Sequence, residues 1–496
     1  MASNEFEADV VVIGGGGAGL SAASEAARLG RSVILLEKNP KLGGSTAWAI
    51  GSVTAINTPH QLRAGIKDSP DEHFEDLEKL AGALAFRDNL VLRRILVEHT
   101  TEMFEWLLSI GVVFMGPMLQ PPHRYPRMHN VVPNSSSFPY HLGRHCRRLG
   151  VDLCLAVTAK ELIVKRGRVT GVIASTASGE ERRYLARRAV VLASGDFSGG
   201  RELKARYASG LAAGVDAVNA TNTGDGHRMA LGLGASVING DLLSGPDIRF
   251  VPPERSSLVQ RLPPIWAVGQ AVRLAVDYLP AAILRPFLMS FVTTALGPEP
   301  SLYKEGAILV NAKGERFADE LGNPEDELVS QPEGIGYIVL DGEIARRFAA
   351  WPYFISTAPS IAYAYLPDYK RNRRDIYHEA GSVELLARRL GMSPETLSRT
   401  VRGTAAPETG RRGLIGPNFV ALGPIKSYVT VAEGGLKVSE HLEVLGPGDT
   451  PIPGLFAGGA TGQGGLLLYG HGHHLAWAFV SGRLAGRNAA LNLARA

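Results

Sequence analysis

Near the N-terminus, Gly14, Gly16 and Gly19 have the G-x-G-x-x-G spacing of a loop that binds a dinucleotide, and Glu37 follows about 20 residues later. In such a loop the first glycine allows a tight turn and the second lets the backbone approach a pyrophosphate, while the third permits close packing of a helix on a strand. The glutamate can accept hydrogen bonds from a ribose diol. The spacing therefore predicts a dinucleotide site here, against the alternative of an ordinary glycine-rich turn.

The residues around this turn predict the elements that hold it in place. Asp9–Ile13 is a β-branched apolar run, typical of a buried parallel strand, and Leu20–Leu29 is an alanine-rich segment with good helix propensity. Ser32–Leu36 predicts a second strand that ends at Glu37. This βαβ order brings the amide donors and the positive end of a helix dipole to the phosphates.

Composition excludes several other classes of protein. The 496 residues are 45% hydrophobic and 20% charged, which disfavours disorder, and a formal charge of +4 is too small to predict nucleic-acid binding. Cys146 and Cys154 provide neither a disulfide framework nor zinc-ligand spacing. The acidic N-terminus lacks the basic and apolar regions of a secretory signal. We therefore expect an intracellular, cytoplasmic protein.

The composition and the periodicity of the sequence change twice along the chain. From about residue 242 to residue 425 prolines and aromatics increase and periodicity weakens, and glycine-rich α/β sequence returns at Gly434. We predict an α/β fold, with a Rossmann-like dinucleotide-binding domain built from residues 1–241 and 426–496. Residues 242–425 would form an inserted α+β capping domain that holds the substrate.

Ile265–Gly297 is notably apolar, but Arg273, Asp277 and Arg285 interrupt it. Its longest charge-free run, Pro286–Pro298, is too short to span a membrane as a helix. One interpretation is a pair of buried helices in the capping domain. The alternative is a surface hairpin that makes peripheral contact with a membrane or lines the entrance for an apolar substrate.

Four further motifs occur in order along the chain: Gly43–Trp48, Val190–Phe197, Thr223–Ala230 and Gly454–Gly459. Together with the N-terminal turn they resemble motifs of the fumarate reductase/succinate dehydrogenase flavoprotein superfamily. The resemblance implies FAD as the cofactor, and non-covalent binding, because Ser45 and Thr46 stand where covalent members have a histidine. The resemblance and the βαβ unit together predict a set of cofactor-binding residues: Gly14, Gly16, Gly17, Ala18, Gly19, Glu37, Lys38, Gly43, Gly44, Ser45, Thr46, Ala159, Ala193, Gly195, Asp225, Gly459, His474 and Leu475.

Within this superfamily the C-terminal turn looks most like that of the 3-ketosteroid dehydrogenases. Pro324 falls where fumarate reductases place a proton-donating arginine, so we disfavour dicarboxylate reduction. The resemblance implies that Tyr469 and the amide of Gly472 polarise a ketone, as an oxyanion hole does. A base would then remove the α-proton, and flavin would accept the β-hydride. Candidates for the base are Tyr363, Tyr365 and His471, and Tyr125 falls where the family has a supporting aromatic residue.

Our sequence-based hypothesis is therefore an FAD-dependent oxidoreductase that desaturates a hydrophobic cyclic, steroid-like ketone. The alternative is reduction of an activated alkene, since the same groups serve both directions, and a third possibility is a flavin-binding protein without turnover. We expect no metal, because the crowded His471, His473 and His474 lack nearby carboxylate or cysteine ligands in a zinc pattern. No second nucleotide fingerprint is present, so we do not expect direct use of NAD(P)H, and the electron acceptor stays unknown.

Overall fold

The computed structural model describes residues 4–254, 257, 259–358, 362–404 and 412–492. The strands of the described part, in chain order, are β1 Glu5–Ile13, β2 Val33–Glu37, β3 Ser52–Thr54, β4 Val113–Met118, β5 Met128–Val132, β6 Asp152–Leu155, β7 Val157–Lys165, β8 Arg168–Thr176, β9 Glu181–Leu192, β10 Asp216–Ala217, β11 Val237–Ile238, β12 Leu243–Ser244, β13 Asp247–Phe250, β14 Ile308–Asn311, β15 Gly336–Asp341, β16 Ser356–Ala358, β17 Ala362–Ala364, β18 Tyr377–Ala380, β19 Phe419–Val429, β20 Val431–Ala432, β21 Gly435–Leu436, β22 Glu443–Leu445 and β23 Pro451–Ala457.

The α-helices of the same residues are α1 Gly17–Arg28, α2 Gly44–Trp48, α3 Pro59–Arg63, α4 Pro70–Ala81, α5 Leu90–Ser109, α6 Ser137–Arg148, α7 Arg201–Tyr207, α8 Gly210–Gly214, α9 Asp225–Leu231, α10 Trp266–Tyr278, α11 Ala281–Ala295, α12 Ser301–Lys304, α13 Pro324–Leu328, α14 Gly342–Arg347, α15 Leu366–Asn372, α16 Val383–Leu390, α17 Pro394–Gly403 and α18 His473–Leu491.

The larger sheet joins both ends of the chain. Its order is β22-β23-β9-β1-β2-β6, with β7 and β8 continuing from β9, and β1 pairs in parallel with both β2 and β9. The C-terminal strand β23 also runs parallel to β9. The predicted βαβ unit is therefore present as β1, α1 and β2, and the Rossmann-like α/β fold that the sequence predicts is confirmed.

Helices α1 and α18 pack side by side beneath this sheet because α18 has glycine where the helices meet. A Cβ atom on Gly482 would collide with the backbone oxygen of Ala18, and one on Gly486 would collide with that of Ala22. This close approach carries the N-terminal end of α18 into the same region as the glycine turn before α1. Two segments more than 450 residues apart in sequence are thereby held next to each other.

A second sheet has its own hydrophobic core, which includes Leu302, Ile338 and Leu422. Its order is β10-β19-β15-β14, with β13 and β18 also pairing with β19. Strand β19 extends to Val429, past the predicted domain boundary at residue 425. The remaining domain boundaries stay predictions.

The apolar segment 265–297 forms two helices, α10 and α11, that lie at the surface. Gly269 is the only buried residue of α10, whereas Trp266, Tyr278, Ile283 and Phe287 are exposed. The interpretation of this segment as two buried helices is therefore wrong for α10 and for the first half of α11, whereas Met289 and Val292 of α11 are buried in the core of the second sheet. No helix among the described residues has the length and apolar character that crossing a bilayer requires.

Candidate cofactor and substrate site

One cavity of about 1460 Å³ brings together the glycine turn before α1, the C-terminal turn before α18 and the walls of α10 and α11. This volume exceeds the roughly 300–1,000 Å³ of a pocket for one drug-sized ligand. All of the predicted cofactor-binding residues except Gly19 and Gly43 line it. The arrangement leaves room for a dinucleotide and a second molecule in one continuous space.

The glycines of the turn have different reasons for lacking a side chain. Gly14 has φ +111°, and a Cβ there would collide with the carbonyl of Ala193. A Cβ on Gly19 would collide with the oxygen of Gly14, so this glycine closes the turn rather than touching the cavity. Gly16 is different, because a Cβ there would have no atom within 4 Å except the backbone oxygen of Gly43, at 3.8 Å. The space beside Gly16 belongs to the cavity, which is where a pyrophosphate needs close access to backbone.

Glu37 is buried and holds the turn in shape. Its Oε2 accepts a hydrogen bond from the Gly15 amide at 2.7 Å, and its Oε1 accepts one from the Asn39 amide at 2.7 Å. The side chain nevertheless lines the cavity. A carboxylate oxygen has two lone pairs, so Oε2 retains acceptor capacity for a ribose hydroxyl.

Ser45 and Thr46 are fixed by groups from distant parts of the chain. The Thr46 hydroxyl accepts a hydrogen bond from the Gly17 amide at 3.0 Å, and the Ser45 hydroxyl accepts from Asn219 Nδ2 and Asn222 Nδ2, both at 2.9 Å. A hydroxyl that accepts two bonds still has its own proton to donate. Ser45 lines the cavity and is therefore suited to an anionic ligand such as a phosphate.

Lys38 and Asp225, both predicted as cofactor-binding residues, form an ion pair at the edge of the cavity. Lys38 Nζ lies 2.7 Å from Asp225 Oδ2 and 2.8 Å from Thr223 Oγ1. Burial by itself would raise the pKa of Asp225, but the hydrogen bond and charge of Lys38 lower it. The pair joins the end of β2 to the start of α9.

His474 is paired with an acid that the sequence reasoning did not identify. Its Nε2 lies 3.1 Å from Oε1 and 3.2 Å from Oε2 of Glu433, whose side chain is buried. Burial would lower the pKa of His474, but the charge and hydrogen bond of Glu433 raise it. Because Nε2 faces Glu433, Nδ1 is the nitrogen that remains for a ligand, and His474 lines the cavity. The signal in the sequence is an isolated acid before Gly434–Gly435, within otherwise apolar residues.

The C-terminal turn has the predicted glycine geometry but a different arrangement of side chains. Gly472 has φ +96° and caps α18, and both His471 and Gly472 line the cavity. Tyr469 is not among the lining residues. Its surroundings include Glu433, Arg87 and Asp241, and burial, followed by the charge of Glu433, raises its pKa. The geometry therefore does not support a shared carbonyl contact by Tyr469 and Gly472.

The other predicted tyrosines also lie away from the cavity. Tyr125 donates its hydroxyl hydrogen bond to Glu72 at 3.2 Å. Tyr363 packs against Trp351 and Phe354 in an aromatic cluster. Tyr365 precedes α15, where Arg285 lies over its ring. This geometry gives no support to Tyr363 or Tyr365 as the base, or to Tyr125 as a supporting aromatic of the site, which leaves the histidines of the turn as the candidate acid–base groups.

Directly behind the turn, His473 belongs to a buried cluster with His73 and His123. The Nε2 atoms of His73 and His473 are 3.4 Å apart, and the rings of His123 and His473 stack at 5.2 Å. Burial lowers the pKa of all three, so they are neutral at pH 7. Across the described ranges, no group of three or more His, Cys, Asp or Glu residues is arranged to hold a metal ion.

Comparisons with known proteins identify the family. The model of the FAD binding domain family matches residues 9–253 and 273–469. A probable fumarate reductase, Ifc3, of Shewanella frigidimarina is 26% identical over 503 residues, covering 97% of this chain and 74% of the relative. A urocanate reductase of Eggerthella lenta is 28% identical over 512 residues, covering 98% of this chain and 75% of the relative.

Solved structures share the fold. The open conformation of a flavocytochrome c3 fumarate reductase has a TM-score of 0.73 at 24% identity, covering 98% of this chain and 78% of that one. A 3-ketosteroid-Δ4-(5α)-dehydrogenase of Rhodococcus jostii RHA1 has a TM-score of 0.59 at 24% identity, covering 98% and 97%. Both resemblances concern the fold, and the chemistry has to be argued from the side chains of the cavity.

Proposed function

We propose a substrate for this chain, which belongs to the FAD binding domain family and is an FAD-dependent oxidoreductase acting on CH–CH groups. The substrate is a largely apolar molecule with a carbon–carbon double bond conjugated to a carbonyl group, and the protein reduces that double bond. Relatives named as fumarate and urocanate reductases favour reduction over the desaturation that the sequence suggested. The observation that carries the proposal is the single cavity that joins the glycine turn, His474 and the apolar helices.

The residues present fit FAD. The open space beside Gly16 admits a pyrophosphate to the backbone, Ser45 offers a hydroxyl, and Glu37 offers a buried carboxylate for a ribose. Bound FAD supplies a two-electron carrier that exchanges hydride with carbon. The protein contributes binding, orientation and proton handling around that exchange.

The walls of the cavity select against a dicarboxylate. Arg249 is the only arginine among the described residues that line it, and its Nη2 donates to Thr430 Oγ1 at 3.2 Å. Two substrate carboxylates usually require bidentate guanidinium partners. Pro324 is buried at the start of α13 and does not line the cavity. Leu279, Ile283 and Phe287 line the cavity with hydrocarbon instead.

His474 is the group that we assign to proton transfer. With its Nε2–H directed at Glu433, a protonated His474 carries its second N–H on Nδ1, the nitrogen left for a ligand. The raised pKa keeps this ring protonated closer to neutral pH, which suits a general acid. Reduction of a conjugated double bond needs such a proton at the carbon next to the carbonyl. In the reverse direction, the neutral ring would accept the same proton.

An anaerobic experiment distinguishes reduction of the double bond from its formation. The purified yellow protein is reduced chemically and mixed with cyclic enones, a 3-keto-4-ene steroid, fumarate or saturated ketones, while flavin absorbance is followed. We expect rapid reoxidation by apolar enones and slow reoxidation by fumarate. Reoxidation by fumarate alone contradicts the proposed substrate class. Bleaching of the oxidised protein by saturated ketones, with no reoxidation by enones, contradicts the direction.

A further inference from the structure

Helices α10 and α11 expose several large apolar side chains to solvent, which we call the hairpin patch. Its members are large apolar side chains that are at least 45% exposed: Trp266, Leu274, Tyr278, Leu279, Ile283 and Phe287. Monomeric proteins rarely expose apolar patches of this kind unless they contact a partner or a membrane. The side chains of this patch therefore require an explanation other than core packing.

The hairpin, which consists of helices α10 and α11, is held by specific contacts to the rest of the protein. Gly269 of α10 allows close contact with β4, because a Cβ there would lie 3.1 Å from the Val113 side chain. On α11, Arg285 Nη2 lies 2.5 Å from Asp368 Oδ2. Near the other end of α11, the buried Arg373 donates to the Thr293 carbonyl at 3.1 Å. These contacts orient the hairpin and leave its apolar face outward.

The hairpin patch is also the rim of the cavity. Leu279, Ile283 and Phe287 are exposed and at the same time line the cavity. A protein partner seated on this patch would close the opening. A bilayer would not, because its hydrocarbon interior is itself a reservoir of apolar molecules.

The polar groups around the patch match a bilayer interface. Trp266 and Tyr278 occupy the two ends of α10, and amphipathic aromatic rings of this kind prefer the headgroup level. Arg261, just before α10, is exposed, and its charge is suited to anionic headgroups. Between these groups, Arg273 and Asp277 neutralise each other at 3.1 Å. The helix pair therefore combines exposed apolar side chains with an aromatic ring at each end of α10 and one cation just before it.

We propose that the hairpin patch docks on the surface of a bilayer containing anionic phospholipid, so that apolar substrate passes between the lipid and the cavity. The shallow insertion of two short helices suits contact in the plane of the interface. Docking itself goes beyond the proposed function, because it follows from the surface of α10 and α11 whatever double bond the cavity accepts. A vesicle-binding test is therefore independent of turnover.

The test is co-sedimentation of the FAD-loaded protein with vesicles of phosphatidylcholine, with and without phosphatidylglycerol. The variant Leu274→Glu/Tyr278→Glu alters two patch residues that do not line the cavity. We expect the wild type to sediment with the vesicles, more strongly when phosphatidylglycerol is present. The partition coefficient of the variant should fall by roughly tenfold or more, because two apolar groups become charged. The matched control is Phe86→Glu, at an exposed phenylalanine outside the patch, which should bind like the wild type.

Flavin absorbance and circular dichroism verify that each variant is folded. The proposal is overturned if the folded wild type stays in the supernatant with both vesicle types, or if the patch variant and wild type sediment equally. It is also overturned if light scattering shows a wild-type dimer that the patch variant converts to a monomer without vesicle binding by either. In that case a second copy of the chain covers the patch.

Discussion

The Nε2 atom of His474 lies 3.1 Å from Oε1 of Glu433, and the carboxylate is buried while the imidazole reaches the cavity. Gln463 Nε2 donates to Oε2 of the same carboxylate at 2.8 Å, and Ser244 Oγ donates to Oε1 at 3.1 Å. Burial would raise the pKa of Glu433, but His474 and these hydrogen bonds lower it. A buried charge held in this way fixes both the orientation and the protonation of its histidine.

The first prediction concerns the pH dependence of substrate reduction. The charges of Glu433 and Asp196 raise the pKa of His474, and the neighbouring His473 is neutral. In Glu433→Gln the main negative charge is lost, so the pKa of His474 falls. A general acid is lost as the pH rises through its pKa, and the alkaline limb of the reoxidation rate should therefore move to lower pH by about one unit or more. The exposed Glu440→Gln is the control and should keep the wild-type profile.

An unchanged profile in Glu433→Gln, with flavin still bound, would show that another group supplies the proton. Titration of the His474 ring by NMR gives a second readout that does not depend on turnover. If the ring pKa falls and the rate profile stays in place, His474 is not the acid, although its pairing with Glu433 is correct.

A second prediction compares His474 with Tyr469. We expect His474→Ala to lower the rate of enone reduction by roughly 10²-fold, within the usual contribution of a general acid. Tyr469 does not line the cavity, so Tyr469→Phe should change the rate by less than about threefold; loss of an oxyanion donor would instead cost about 10²-fold or more. Stopped-flow rates of flavin reoxidation by an enone in both variants test this prediction. A large loss in Tyr469→Phe would restore the role that its sequence motif suggested.

The third prediction separates cofactor binding from folding at the glycine turn. A Cβ on Gly16 meets no atom closer than 3.8 Å, so Gly16→Ala should fold with a melting temperature close to that of the wild-type apoprotein. The methyl group would occupy the space that a pyrophosphate needs, and we expect the affinity for FAD to fall at least about tenfold. The control is Gly210→Ala, where a Cβ meets nothing within 4 Å. Equal FAD affinity in all three proteins would place the phosphates elsewhere.

The local parts of this fold could be predicted from the sequence, because local sequence determines them. The strand before Gly14, the helix after it and the acid at Glu37 form a βαβ unit whose spacing is characteristic, and the structure has it as β1, α1 and β2. Helix α18 likewise begins at His473, directly after Gly472. The exposure of α10 and α11 could not be decided, because an apolar segment of this length suits a core and an interface equally well.

The site residues that were missed all depend on long-range contacts. Glu433 reaches His474 across 41 positions in the chain, and Asn219 reaches Ser45 across 174. No local periodicity reports such pairs. The predicted tyrosines show the converse difficulty, since a residue type that suits a role does not establish that the fold brings it to the cavity. Tyr363, for example, belongs to an aromatic cluster with Trp351.

The fourth prediction tests the contact between α1 and α18. A Cβ on Gly482 would collide with the backbone oxygen of Ala18, and backbone cannot move aside as a flexible side chain can. Gly482→Ala should therefore lower the free energy of unfolding by about 1–3 kcal/mol, the usual cost of overpacking. Gly403→Ala, near the end of α17 with no atom within 4 Å of its Cβ, should leave stability within about 0.5 kcal/mol. Chemical denaturation measures the free energy of unfolding of both variants. Equal values would mean that α1 and α18 can move apart at little cost.

The fifth prediction concerns the ion-pair network next to the histidine cluster. Arg127 is fully buried, with Nη1 at 2.6 Å from Asp76 Oδ2 and Nε at 2.7 Å from Asp68 Oδ2. Asp76→Asn leaves part of a buried charge without its partner, which should lower the free energy of unfolding by about 3–5 kcal/mol at pH 7. The exposed pair of Asp71 and Arg94 provides the control, because Asp71→Asn should cost less than about 1 kcal/mol.

The loss of unfolding free energy in Asp76→Asn should become smaller as the pH falls. Burial would raise the pKa of Asp76, but hydrogen bonds from Arg124, Lys79 and Arg127 bring it well below 3.8. A carboxyl whose pKa is lowered by folding stabilises the protein above its unfolded pKa, near 3.9, and loses that contribution as the pH falls towards its folded pKa. The difference between wild type and Asp76→Asn should therefore be largest at pH 7 and smaller at pH 3. Urea denaturation at the two pH values measures it, and a difference that grows on acidification would mean that Asp76 is not held as a charged partner of Arg127.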